Sequence, residues 1–264
     1  MRRVEVHGHR GARAARPENT MAGFAFAIAA GADYIELDVH ATRDDVLVVT
    51  HDPVFNPAIC QGRRDGSSVV VRELTVEEIR GWDCGTLRHP RFPRQEAVPG
   101  ARIPTLDEVL ALGGPIRFNI EAKSFPRFPQ YAPPAERYAE LLLAAVRRRE
   151  AEPRVLLQSF DFRVLHAVRR LAPDLPLAAL WEHGREDFVS IAREAGTTTV
   201  APQHTLVTPE KVEAAQRKGL AVVPWTANGR TNWERLLRAG VDGIITDDPA
   251  GLLTFLREKG VRDP

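Results

Sequence analysis

Short runs of apolar and β-branched residues alternate along this chain with longer stretches whose apolar positions recur every three or four residues. VEVH at 4–7 opens the pattern, a helical stretch follows from about Thr20 to Ala30, and YIELDV at 34–39 comes next. From Thr105 the alternation becomes regular: helix TLDEVLAL, strand PIRFNIEAK, helix AERYAELLLAAVRRR, strand RVLLQSF, helix FRVLHAVRRLA, strand PLAAL. It runs on through helix EDFVSIAREAG, strand TTVAP, helix TPEKVEAAQRKG, strand LAVVPWT, helix TNWERLLRAG, strand VDGIITDD and helix AGLLTFLRE. Strands separated by helical segments pair in parallel, because a parallel neighbour needs a crossover long enough to be a helix. Close to eight such units predict an α/β fold, a TIM (β/α)8 barrel. Gly196, Gly219 and Gly240 each end an amphipathic run where a left-handed cap residue is wanted. Pro209 after Thr208 reads as a first-turn proline behind a capping hydroxyl.

One region breaks the rhythm. Between Asp52 and Pro104 lie NPAICQGRRDGSS, a short apolar run VVVREL, a helical TVEEIR and the Pro-rich RHPRFPRQEAVPGARIP. Irregular connections longer than about 15 residues are uncommon in compact domains. We therefore expect one domain over 1–264 with a cap-like insertion at about 53–104 beside the active face, a decorative surface loop being the alternative.

The length of 264 residues suits one barrel, which typically takes about 250. Lys and Arg total 36 against 35 for Asp and Glu, so no nucleic-acid-binding field is expected and any anion must be caught locally. Cys60 and Cys84 neither make a disulfide scaffold nor match a zinc spacing, and read as structural or incidental thiols. The N-terminus lacks the apolar run of a signal peptide, and no stretch approaches the roughly 18 to 20 apolar residues of a membrane span. A cytoplasmic protein is expected; the oligomeric state is not legible.

In a parallel barrel functional side chains gather at the carboxyl ends of the strands. The first strand runs into His9 and Arg10, the second carries Glu36 and Asp38, the third ends in Glu121 and Lys123, and the seventh in Trp225. Strand residues two apart share a face, so Glu36 projects with Asp38 and Glu121 with Lys123. Three converging carboxylates suit a hard divalent cation; an ion-pair network neutralised by Lys123 and Arg10 is the alternative. His9 and His51 can flank the same pocket as acid and base. Arg10 offers a fork for phosphate oxygens and Lys123 a point charge. His7, His40, placed past its strand end, His89, His166, His183 and His204 have no partner at a ligand spacing. No Walker-type phosphate loop and no GxSxG elbow occurs, which disfavours nucleotide hydrolases and serine esterases.

These blocks, HRGARAARPENT, GADYIELDVHATRDDVLVVTHD, NIEAK, LLQSFD, VVPWTAN and GVDGIITDDP, closely resemble those of the glycerophosphodiester phosphodiesterases over nearly the whole chain. The resemblance implies hydrolysis of a small glycerophosphodiester to glycerol 3-phosphate and an alcohol. It also implies one divalent cation, Mg²⁺ or Ca²⁺ with Mn²⁺ as a further option, held by Glu36, Asp38 and Glu121. His9 and His51 become the acid and base pair, with His51 favoured as acid, and Arg10 and Lys123 bind phosphate. Glu18, the acid of PENT, orients the site, and Trp225 packs beside the glycerol or the alcohol. The nucleophile is either water or a neighbouring glycerol hydroxyl that closes a cyclic phosphate. Two departures stand out: EAK in place of a β-branched centre, and PAICQGRRDG after HDPVFN, which bears on the alcohol pocket. A lysophospholipid substrate held in an apolar groove of Phe55, Phe92, Phe125 and Phe128, and a non-catalytic phosphate-ester-binding barrel, are the rival readings.

Overall fold

In the computed structural model, residues 3–62, 69–184 and 186–263 are described. The first half runs β1 (Glu5–Gly8), α1 (Met21–Ala30), β2 (Tyr34–Ala41), β3 (Leu47–Val49), α2 (Val76–Ile79), α3 (Leu106–Leu110), β4 (Arg117–Ala122) and α4 (Ala135–Arg148). The second runs β5 (Val155–Ser159), α5 (Phe162–Leu171), β6 (Leu177–Trp181), α6 (Phe188–Ala195), β7 (Thr199–Pro202), α7 (Pro209–Gln216), β8 (Ala221–Val222), α8 (Arg230–Ala239), β9 (Gly243–Thr246) and α9 (Pro249–Glu258). Eight strands pair in parallel in the order β8-β7-β6-β5-β4-β2-β1-β9, and β3 adds antiparallel to β2. The fold is the expected TIM barrel.

The ring closes between β8 and β9 by single bonds, Asp242 N–H to the Val222 carbonyl at 3.0 Å and Ile245 N–H to that of Pro224 at 2.9 Å. Pro224 has no N–H to give, so the expected strand LAVVPWT shortens to two residues of regular ladder.

Alternation within the strands sorts side chains between two environments. In β2, Ile35, Leu37 and Val39 join the main apolar core with the helices, as do Phe118, Ile120 and Ala122 of β4. Their neighbours Glu36, Asp38, Asn119 and Glu121 turn into the barrel and are buried there. Helix ends are as the sequence indicates: the Thr208 hydroxyl accepts from Lys211 N–H, and Gly196 and Gly240 cap α6 and α8 at φ 66° and 79°.

Two expectations need correction. His40 lies inside β2, 1% exposed, because β2 extends to Ala41 through its pairing with β3. Cys60 and Cys84 are not separate thiols but a disulfide. The two arms of the insertion fold back on each other through reciprocal 2.8 Å bonds between Gln61 and Asp83, which sets the flanking cysteines side by side. A separation of 24 residues alone carries no sign of this.

The stretch 53–104 builds a small core of Phe55, Cys60, Val71, Leu74, Ile79, Trp82, Cys84 and Ile103 against Val48 of β3, apart from the barrel's main core. TVEEIR forms α2, with a capping box between Thr75 and Glu78, and VVVREL supplies a 3₁₀ turn. Residues 63–68, part of the irregular NPAICQGRRDGSS, lie outside the described residues. The second arm lies over the loop after β1, where Gln95 donates to the carbonyls of Arg13 at 2.7 Å and Arg16 at 3.0 Å.

Candidate active site

The register between β2 and β4 sets Asp38 opposite Glu121 and Glu36 opposite Asn119. Two carboxylates therefore meet across one ladder rung, with the third one pleat below on the same face. Glu36, Asp38 and Glu121 each bring an oxygen within 4.8 Å of the other two. Both oxygens of Glu36 are engaged, one by Gln158 Nε2 at 3.1 Å and the other by the Arg10 N–H at 2.9 Å. Asn19 Nδ2 donates to Asp38 Oδ2 at 2.9 Å, while Asp38 Oδ1 is buried with no hydrogen-bond partner.

Burial, reinforced by Asp38 and Glu121, pushes the Glu36 carboxyl well above the usual range. Burial also raises Glu121, against the pull of Lys123. Asp38 goes the other way: burial alone would raise it, but His51, Arg10 and Lys123 hold it low.

The loop after β1 is shaped by its backbone. Arg10 and Asn19 sit at φ 50° and 53°, and Gly11 at φ 88°. A Cβ on Gly11 would stand 2.8 Å from the carbonyl carbon of Gly23, so the glycine of HRG is required for α1 to approach. The loop delivers Arg10 to Glu18 (2.7 Å) and Asp38 (3.3 Å), and Arg13 to Glu18 (3.3 Å) and Asp247 (3.5 Å). Lys123 Nζ reaches Glu121 at 2.8 Å and Asp38 at 3.6 Å. The ion pairs foreseen from sequence do exist, but five carboxyl groups, Glu18, Glu36, Asp38, Glu121 and Asp247, share the three cations Arg10, Arg13 and Lys123.

Each of the two imidazoles has its own carboxylate. His9 Nδ1 lies 2.6 Å from Asp247 Oδ1, and Asn228 donates to Asp247 Oδ2 at 2.7 Å. His51 Nδ1 lies 2.6 Å from Asp52 Oδ1, and Asn56 donates to Asp52 Oδ2 at 3.4 Å. The first pair is sunk in the barrel, with side chains 12% and 5% exposed; the second sits at the rim, at 32% and 41%. Burial depresses the His9 imidazole despite the upward pull of Asp247. Asp247 falls to about 2, because His9, Arg13 and Asn228 outweigh the effect of burial.

A cavity of about 550 Å³ at the barrel mouth is lined by His9, Arg10, Glu36, His51, Glu121, Lys123 and Trp225, with Asp38 and Glu18 buried behind them. Every site residue expected from the sequence thus belongs to one place. Sequence reasoning missed Arg13, Asn19, Asp52, Gln158, Asn228 and Asp247 as partners, and His40, whose Nε2 lies 3.0 Å from the His51 carbonyl. Asp52 and Asp247 were open to detection, since HD and TDDP both follow strand ends. A larger cleft of about 740 Å³ beside Trp82 and Asp83 has no histidine among its described lining residues. The four phenylalanines do not assemble a groove: Phe55 stacks on Trp82 in the insertion core, Phe92 lies beneath Arg13, Phe125 lines a separate cleft, and Phe128 is exposed beside Tyr131.

Hard oxygen donors beside fixed cations and paired imidazoles define a class, the hydrolases of anionic phosphate esters. The comparisons narrow it. The model of the glycerophosphoryl diester phosphodiesterase family matches residues 9–251; the chain belongs to that family and is a phosphoric diester hydrolase. A glycerophosphodiester phosphodiesterase of Caldanaerobacter subterraneus subsp. tengcongensis is 36% identical over 258 residues, spanning 97% of this chain and 98% of that protein. One from Bacillus subtilis is 30% identical over 94% of this chain and 84% of its own length. The crystal structure of a Silicibacter pomeroyi protein named for the same family superposes with a TM-score of 0.91 at 36% identity, over 98% of this chain and 95% of that one. An Oleispira antarctica phosphodiesterase, solved with the product sn-glycerol-3-phosphate, shares the fold at a TM-score of 0.81 and 18% identity, over 97% of each chain. Among the described residues no helix is long and apolar enough to cross a membrane.

Proposed function

We propose that residues 1–264 act as one metal-dependent phosphodiesterase that cleaves small glycerophosphodiesters to glycerol 3-phosphate and an alcohol, with 53–104 as its cap. The observation that carries the reading is the clustering of three buried carboxylates, two imidazoles and two cations around one cavity. A product-bound relative of the same fold supports it.

Glu36, Asp38 and Glu121 would hold one divalent cation. Their oxygens are close enough to share an ion bonded at roughly 2.0 to 2.6 Å, and Asp38 Oδ1, buried without a hydrogen bond, gains a partner. All donors are hard oxygens, which suits Mg²⁺, Ca²⁺ or Mn²⁺. Bound there, such an ion supplies Lewis-acid polarisation of a phosphoryl oxygen.

Arg10 and Lys123 orient the phosphate from either side, and Glu18 holds the Arg10 guanidinium in place. His9 donates its Nδ1 proton to Asp247 and keeps Nε2 free to take a proton from the nucleophile, either water or a neighbouring glycerol hydroxyl. His51, at the solvent rim with its Nδ1 held 2.6 Å from Asp52, passes a proton to the departing alkoxide. Trp225 walls the far side of the cavity.

The test is release of glycerol 3-phosphate from several glycerophosphodiesters with and without each metal, beside His9→Ala and His51→Ala. Turnover that survives chelation removes the metal from the reading, and undiminished rates in either variant remove the acid–base pair. A cytoplasmic setting belongs to the same reading, and the Cys60–Cys84 bond weighs against it, since reducing compartments keep such thiols apart. Alkylation of thiols in intact cells decides: a fully oxidised pair rules out the reducing cytoplasm.

A further inference from the structure

His51 lies just past the end of β3, and its side chain is 32% exposed, so packing alone does not fix it. Its backbone is held by β2 instead. Before it, the Thr50 N–H bonds to the Asp38 carbonyl at 3.0 Å, and the carbonyl of His51 itself meets His40 Nε2 at 3.0 Å. A carbonyl only accepts, so Nε2 carries a proton and donates it. That carbonyl belongs to the peptide joining His51 to Asp52, whose side chains pair with each other at 2.6 Å. Rotation of this peptide plane would carry both side chains away together, and the His40 hydrogen bond opposes it.

His40 does not touch the cavity. It is 1% exposed inside β2, two residues beyond Asp38 on the same face of the strand. Its ring stacks on Phe125 at 5.9 Å and 16°, and Tyr131 meets Phe125 edge-on at 5.9 Å. The imidazole is therefore held in one orientation. Its other nitrogen, Nδ1, is buried with no hydrogen-bond partner among the described residues. Phenylalanine or leucine would fill much the same space and leave no polar atom behind, so burial gives no reason for an imidazole here. The donor at Nε2 gives one.

We propose that His40 is a positioning residue for His51: by fixing the His51–Asp52 peptide, its Nε2 hydrogen bond holds the His51 imidazole where a departing alkoxide needs its proton. The inference rests on the hydrolytic reading above, with His51 as acid. The experiment measures kcat and KM of the metal-loaded full-length enzyme on two glycerophosphodiesters, one with choline and one with p-nitrophenol as the leaving alcohol. The proteins are the parent, H40F, H40Q and H51A. Choline leaves as an alkoxide that needs the proton, whereas nitrophenolate is stable without it. Phenylalanine keeps a ring against Phe125 and lacks the donor; glutamine brings its side-chain N–H to much the same reach as the histidine Nε2. Nitrogen spectra of isotope-labelled histidine rings follow His51 without turnover, its signals being those missing from H51A.

The expected result is a kcat on the choline ester lowered about 10- to 100-fold in H40F, part of the roughly 10²- to 10⁴-fold that a general acid supplies. The nitrophenyl ester keeps its kcat within about threefold, KM stays within about twofold for both, and H40Q recovers the choline-ester rate to within about threefold. The His51 ring signals shift in H40F and not in H40Q. Where H51A discriminates between the esters, equal losses on both in H40F overturn the proposal, since they assign His40 to the framework around Asp38. So does an unchanged choline-ester rate in H40F, or an H40Q as slow as H40F. If H51A lowers both esters alike, the acid role of His51 fails, and the positioning role stands only where H40F repeats the H51A pattern. If the parent cleaves neither ester, the hydrolytic reading fails on its own; shifted His51 signals in H40F then uphold the positioning role and unmoved ones overturn it. Should H40F not fold, H40L, which also lacks a donor, takes its place with the same expectations.

Discussion

Asp247→Asn is the sharpest probe of how the barrel prepares His9. The carboxylate accepts from His9 at 2.6 Å and is itself gripped by Asn228 at 2.7 Å, so the imidazole has one orientation and one tautomer. An amide in its place keeps the volume but removes the charge, and its NH₂ group can face Nδ1. The ring then carries its proton on Nε2, where a base must be empty. Loss of a charge-assisted hydrogen bond alone is worth about 1.5 to 3 kcal/mol, roughly 10- to 150-fold in rate. The wrong tautomer extends this to about 10²- to 10⁴-fold in kcat, with KM within about twofold. Steady-state kinetics on a glycerophosphodiester measures it; a kcat within threefold of the parent, or a KM that rises in step with the loss, refutes the reasoning. The same substitution has a signature in stability. Because the folded-state pKa of Asp247 is depressed to about 2, its contribution is present above the unfolded value of about 3.9 and is lost as pH falls from there through about 2. Acid unfolding of the variant should be less steep across that window, and identical slopes would deny the pairing.

Three further outcomes are expected. Saturating Mg²⁺, Ca²⁺ or Mn²⁺ should raise the melting temperature, by about 2.7 kcal/mol of stability at a hundredfold excess over Kd, and Asp38→Asn should abolish the response; an unchanged response in the variant places the ion elsewhere. Cys60→Ser with Cys84→Ser should free a loop whose closure is worth roughly 3 kcal/mol, so limited proteolysis should nick 53–104 before the barrel, and cuts spread evenly along the chain would contradict a separately built cap. Gly11→Ala should cost about 1 to 3 kcal/mol, since both its left-handed backbone and the nearby Gly23 carbonyl oppose a side chain; a melting temperature matching the parent would show that the loop has room to shift.

The ring was legible because period-two and helical patterns are written locally, and the carboxyl-end rule then placed Glu36, Asp38, Glu121 and Lys123 without any contact being known. Pro224 was legible as a residue but not as the reason β8 stops, because that depends on which strand face it turns to its neighbour. Support groups were harder. Gln158, Asn19 and Asn228 have no distinguishing spacing, and only the folded chain brings them to Glu36, Asp38 and Asp247. The join between Cys60 and Cys84 is hidden for the same reason: it follows from two arms doubling back, a tertiary event. His40 was misplaced because the short antiparallel β3, which lengthens β2, looks from sequence like a mere lead-in to His51.

The insertion leaves and rejoins the barrel almost at a point, for Val48 bridges Thr105 and the Val49 N–H bonds to the Pro104 carbonyl at 2.9 Å. A segment with both ends anchored at one spot can lengthen, shrink or be exchanged wholesale with little entropic penalty to the ring beneath it. The insertion is in this sense a graft, and the region where descendants of this scaffold are freest to change without relearning how to fold.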